Sequence, residues 1–128
     1  MPGKKILIVE DDPAQLTMVA KRLKVAGFEV VGARDGISAV STARKEQPDL
    51  VLLDLGLPGG DGFVVMQRLQ TLISTSTIPV IVISSNDPTA SEEPAKRAGA
   101  IAYLRKPVDF PALLKLIAET LGLPEPAA

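Results

Sequence analysis

Short aliphatic runs that each stop abruptly at polar or charged residues constrain this chain more than any other feature. They lie at residues 6–9, 28–33, 49–54, 80–83 and 100–104. The first, third and fourth are apolar at consecutive positions, as in strands covered on both faces. Between the runs, apolar residues recur at helical spacing. Leu16, Val19, Ala20, Leu23 and Ala26 mark the first helix, and Ile37, Val40 and Ala43 the second. Phe63, Met66, Leu69 and Leu72 mark the third, and Leu113, Leu114, Ile117 and Leu121 the last. Strand alternating with helix is the pattern of a parallel sheet with helices on both faces, joined by right-handed crossovers. The predicted class is therefore α/β, a doubly wound five-stranded parallel sheet in one domain.

The punctuation agrees. Asp12 can cap the first helix, with Pro13 in its first turn and Gly27 closing it. Asp35-Gly36 reads as a turn, and Pro48 ends the second helix near Gln47. Leu57-Pro58-Gly59-Gly60-Asp61-Gly62 is a tight loop rich in glycine. Ser91 is placed as the cap of a fourth helix reaching Ala98, and this helix is expected to be short or irregular because Pro94 fits only in a first turn. Asp109 caps the last helix, which Gly122 and Pro124 end. Residues 1–122 form the expected domain, followed by a short tail at 123–128 and no output domain.

Composition removes several kinds of chemistry. Fourteen basic and fifteen acidic residues leave a net charge of −1, no electrostatic footprint for nucleic acid or an acidic membrane surface. With no cysteine and no histidine, the chain has no thiol catalysis, no thiolate zinc site and no imidazole base. Neither a secretory signal nor an apolar stretch of membrane-spanning length is present, so a soluble cytoplasmic protein is expected.

What remains is carboxylates, hydroxyls and lysines, and these collect at strand ends. The first, third, fourth and fifth strands deliver Glu10-Asp11-Asp12, Asp54, Ser84 and Lys106 to the carboxyl end of the sheet, where α/β folds bind ligands, and the second strand delivers nothing comparable. Clustered carboxylates repel, and a hard divalent cation such as Mg²⁺ relieves that repulsion through oxygen ligands. A carboxylate beside Mg²⁺ can act as a nucleophile toward phosphorus, with Ser84 donating a hydrogen bond and Lys106 neutralising phosphoryl charge. Taken alone, Asp54 can equally be a cap, a metal ligand or a nucleophile, and Asp12 a cap or a ligand.

Over nearly the whole chain these residues resemble the receiver domain of two-component response regulators. The resemblance rests on Glu10-Asp11, Asp54 with Leu57-Pro58 and Asp61-Gly62 behind it, Ser84, Ala98-Gly99-Ala100, Tyr103 and Lys106-Pro107. It implies a flavodoxin-like (βα)5 fold of strand order 2-1-3-4-5, with a cis peptide bond at Lys106-Pro107. By the same resemblance Asp54 is the phosphoacceptor, and Mg²⁺ or Mn²⁺ is held by Asp11, Asp54 and the backbone carbonyl of Gly56, with Glu10 reaching it through water. Ser84 is then the switch hydroxyl, Lys106 the phosphate-pairing lysine and Tyr103 the switch aromatic; on its own Tyr103 reads as a half-buried edge residue.

The implied partners are a histidine kinase or phosphotransfer protein as donor and a protein target at the face of the fourth helix, fifth strand and fifth helix. Direct nucleic-acid or membrane contact is not implied, and the chain is a monomer or a phosphorylation-dependent dimer. Gly56 and Asn86 stand where the family tunes loss of the phosphoryl group, and Pro94 departs from the family pattern. The implied role is signalling rather than enzymatic. Two alternatives are a small Mg²⁺-dependent phosphohydrolase with an aspartate nucleophile, disfavoured because Gly56 replaces its second acid, and a binding module that works without phosphorylation.

Overall fold

The computed structural model describes residues 3–57, 62–85 and 88–124, with 88 and 89 as backbone only. Pro58 to Asp61 of the predicted loop, Asn86 and the tail at 125–128 lie outside the described residues.

Strands β1 (Lys5–Val9), β2 (Glu29–Ala33), β3 (Leu50–Asp54), β4 (Val80–Ser84) and β5 (Ala102–Arg105) alternate with helices α1 (Pro13–Val25), α2 (Gly36–Glu46), α3 (Gly62–Thr71), α4 (Pro88–Arg97) and α5 (Phe110–Leu121). The strands form one parallel sheet in the order β2-β1-β3-β4-β5, as expected.

Side chains alternate across a strand, and here the alternation sorts the aliphatics of the three central strands into two layers. Leu7, Val9, Val51, Leu53, Val80 and Val82 pack with Ala39 and Ala43 of α2, Val65, Met66 and Leu69 of α3 and Ala95 of α4. Ile6, Ile8, Leu50, Leu52, Ile81 and Ile83 pack with Val19 and Leu23 of α1 and Phe110, Leu113 and Ile117 of α5. The central strands are therefore apolar at consecutive positions because both of their faces are covered, while the edge strands β2 and β5 are only partly buried.

Helix ends follow local side-chain chemistry. The side chains of Asp12, Asp35 and Asp109 accept from the backbone N–H groups of Ala14, Ser38 and Ala112, at 2.9, 2.8 and 3.2 Å. Asp35 thus caps α2 and Gly36 is its first residue, rather than the pair forming a separate turn. Gln47 closes α2 in the left-handed conformation at φ 48°, and Gly122 closes α5 at φ 68°.

The fourth helix departs from expectation. It begins at Pro88 and runs ten residues, so Ser91 lies inside it rather than capping it, and Pro94 is interior. Proline suits the first helical position, which explains the earlier start. Pro94 has no N–H for the carbonyl of Ala90, although its own carbonyl accepts from Ala98 at 3.0 Å. A surface ion pair between Glu92 and Lys96 at 2.8 Å spans the proline, and Ala95 is the buried anchor. Strand β5 starts at Ala102 rather than at Ala100, because Ala100 and Ile101 still belong to the entry turn, where Ile101 N–H donates to the Val80 carbonyl at 2.9 Å.

Two outcomes follow from the helix ends. Replacing Pro94 with Ala restores the missing bond, and urea denaturation should show a stabilisation of about 1–3 kcal/mol, with slower amide exchange confined to α4. At Asp35 the hydrogen bond from the Ser38 N–H holds the carboxyl below its usual range. A depressed carboxylate adds stability above its unfolded value of about 3.9, and loses it as pH falls through the lower folded value. Asp35→Asn keeps a capping oxygen that does not titrate, so thermal melts should show wild type losing ground to this variant as pH falls from 5 to below 3.

Candidate functional site

Parallel pairing brings the ends of the central strands to one level. Val9 sits opposite Leu53, and Asp54 opposite Ile83. The chain leaves β1 into Glu10, Asp11 and Asp12, and the turn is tied to its neighbour strand where Glu10 N–H donates to the carbonyl of Ala33 at 3.0 Å.

The lysine after β5 closes the site. The Lys106 ammonium donates to Glu10 Oε1 at 2.7 Å and to Asp54 Oδ2 at 3.1 Å. The backbone sets it there, since Lys106 N–H donates to the Ser84 carbonyl at 2.8 Å and the Lys106-Pro107 peptide bond is cis, as the resemblance implied. The side chains of Lys106, Glu10 and Asp54 are only 19%, 8% and 12% exposed, so these charges act across a medium less polarisable than bulk water.

On its other side Asp54 Oδ1 accepts from the Gly56 N–H at 2.9 Å, which ties the carboxylate to the following turn. The main chain folds back behind it, where Gly62 N–H donates to the Leu55 carbonyl at 3.1 Å. A Cβ on Gly62 would stand 2.7 Å from Leu55 Cα, so no larger residue fits this return without movement.

Electrostatics reflect the crowding. Burial pushes the Glu10 carboxyl above its usual range, and Asp54 adds to this, while the hydrogen bonds from Lys106 and from Asp12 N–H work against it. For Lys106, burial favours the neutral amine, but hydrogen bonds and charge from Glu10 and Asp54 prevail and hold it above its usual value.

Carboxylate oxygens of Glu10, Asp11 and Asp54 all lie within 4.8 Å of one another, a donor set that suits a hard cation. Asp12 is occupied elsewhere: its two oxygens accept from Ala14 N–H and Gln15 Nε2. Hydrogen bonding from the Ala14 N–H lowers its pKa, so the alternatives for Asp12 resolve in favour of the cap.

The remaining predicted residues fall as follows. Ser84 is the last residue of β4, paired in register with Arg105 and 1% exposed. Tyr103, opposite Val82 in β5, is half-buried against the layer that carries α2, α3 and α4. Gly56 is exposed just beyond Asp54.

Two features escape a reading by strand ends. One is a cavity of 650 Å³ that opens beside Glu10, Asp54 and Lys106 and continues between α1 and the segment leading into α5, with Met18, Val19 and Phe110 among its walls. Arg22 stacks over the Phe110 ring at 4.1 Å and is part of the lining. The other is Arg34, just past β2, whose guanidinium donates to the Asp11 carbonyl from Nη2 at 3.3 Å and from Nε at 3.4 Å. The end of the second strand is therefore not empty.

Comparison with known proteins places this arrangement. The family described as response regulator receiver domain matches residues 6–118. The protein PilH of Pseudomonas aeruginosa is 40% identical over 118 residues, covering 92% of this chain and 98% of PilH. Among solved structures, the receiver domain of the sensor histidine kinase PA1611 of P. aeruginosa, which has a magnesium ion coordinated in its active site cleft, superposes with a TM-score of 0.87 at 30% identity, over 94% of this chain and 98% of that one. The chemotaxis protein CheY4 of Vibrio cholerae gives 0.86 at 28% identity, over 93% and 99%. The order of the sheet, the acidic turn, the strand-end aspartate and the lysine before a cis proline thus meet in a chain that belongs to the receiver domains of two-component response regulators.

Proposed function

We propose that Asp54 is the phosphoacceptor of this receiver, and that Glu10 and Asp11 hold Mg²⁺ or Mn²⁺ beside it. The observation that carries the reading is the Lys106 ammonium, which bridges Glu10 and Asp54 from a loop distant in sequence. A cation fixed there serves an anion that arrives at Asp54, since the two carboxylates are already part of the fold.

The Asp54 carboxylate attacks the phosphorus of a phosphohistidine on a kinase or phosphotransfer protein. The new O–P bond forms as the N–P bond breaks, and the leaving imidazole nitrogen takes a proton from solvent. Lys106 pairs with the phosphoryl oxygens, and the Gly56 N–H keeps the carboxylate oriented for the attack. When bound, the divalent cation screens charge on the phosphoryl oxygens and relieves repulsion among the carboxylates. Asp11, Asp54 and the Gly56 carbonyl would hold it directly, and Glu10 would hold it through water.

After transfer, the Ser84 hydroxyl donates to a phosphoryl oxygen and Tyr103 moves with it, so that charge at Asp54 biases the face formed by α4, β5 and α5 toward a protein target. The domain, residues 1–122, carries the phosphoryl group on its own side chain and does not turn over a separate substrate. It acts in the cytoplasm as a monomer or a phosphorylation-dependent dimer, without direct contact to nucleic acid or membrane. Among the described residues no helix is long and apolar enough to cross a membrane.

Incubation with acetyl phosphate or phosphoramidate and Mg²⁺ should add roughly 80 Da, one phosphoryl group, by intact mass. Asp54→Ala should give no adduct; an adduct of the same yield in that variant would overturn the assignment. Lys106→Met should still be modified at Asp54, but about 10²-fold more slowly in a time course at saturating Mg²⁺, the scale of losing one charge-stabilising donor.

A further inference from the structure

The end of β2 is joined to the acidic turn at two successive residues. Ala33, the buried last residue of β2, accepts from the Glu10 N–H at 3.0 Å, and Arg34 directs Nη2 and Nε to the carbonyl of Asp11. Residues 33 and 34 thus grip residues 10 and 11 in parallel. Arg34 is itself held from both sides, by the strand that precedes it and by Asp35, which caps α2 through Ser38.

The choice of acceptor is informative. Three carboxylates stand close together at this end of the sheet, yet the Arg34 fork goes to a main-chain oxygen, and among the described residues it forms no ion pair. The Asp11 carboxylate therefore stays available to a cation while the peptide that carries it is fixed. Asp12 is committed to the cap of α1 and Glu10 to Lys106, so Asp11 is the member of the cluster whose placement depends on this contact.

We propose that Arg34 is a positioning residue for the cation site: its fork on the Asp11 carbonyl holds Asp11 where its carboxylate meets those of Glu10 and Asp54. This rests on the reading in which these three carboxylates take up Mg²⁺. Arg34 also carries a positive charge that repels Mg²⁺, but it is exposed, and solvent and salt weaken that repulsion. Ordering of the ligand outweighs it. Partners that orient metal ligands typically change affinity 10- to 100-fold; with two long hydrogen bonds from an exposed side chain, about three- to tenfold is expected here.

The test is Mg²⁺ titration of the full chain by calorimetry, with thermal melts in the absence of metal, for wild type, Arg34→Met, Arg34→Lys and Asp11→Asn. Arg34→Met should weaken Mg²⁺ binding about three- to tenfold. Arg34→Lys, which keeps the charge and one donor but not the fork, should fall between Met and wild type. A contact serving the fold alone would lower the metal-free melting temperature and leave Mg²⁺ affinity unchanged, and that result overturns the proposal. Tighter binding by Arg34→Met also overturns it, since charge repulsion then dominates. If wild type binds Mg²⁺ and Asp11→Asn does not, the cation reading stands whatever Arg34 does. If wild type binds none, that reading falls and this one with it.

Discussion

Three carboxylates within 4.8 Å of one another, with one ammonium between two of them, are what the rest of this fold has to hold in place. Like charges about 4 Å apart repel by roughly 1 kcal/mol in water and about 4 kcal/mol near a protein surface. Loops alone would relax away from such a cluster. Here each member is anchored at or next to a strand end, and the strands are locked by ladders and by packing on both faces. Relief by Lys106 is partial, since one ammonium serves Glu10 and Asp54 while Asp11 has its carboxylate in the same cluster. The crowding leaves a donor set that suits a divalent cation.

Support for that arrangement is uneven around the sheet. The layer under α1 and α5 is built from large aliphatics and Phe110, and the opposite layer depends more on alanines where α2 and α4 pack. Helix α4 combines an interior proline with a single buried residue among those whose side chains are described. The helix proposed to report the state of Asp54 is thus the one with the least internal cohesion.

Much of this was legible in the sequence. Consecutive aliphatic positions identified the central strands, and acids and a lysine at their ends identified the groups that meet. The cis bond after Lys106 and the strand order agree with what the resemblance implied. The misreadings have physical causes. A proline in mid-helix and one at a helix start look alike when no apolar stripe fixes the frame, so α4 was placed too late. Asp35-Gly36 has turn chemistry, but the same carboxylate caps a helix when the chain turns directly into one. Arg34 was passed over because its role comes from reach: a long side chain that bonds a main-chain carbonyl 23 residues away leaves no pattern in spacing or hydropathy.

The bond between Lys106 and Glu10 joins residues 96 positions apart. Every strand and four of the five helices lie between or beside those two residues, so the acidic cluster lacks its balancing charge until nearly the whole chain is in place. During synthesis, a nascent chain that has made Asp54 but not Lys106 holds its acids without their counter-charge. The balance of charge at the strand ends and the completion of the fold therefore arrive together.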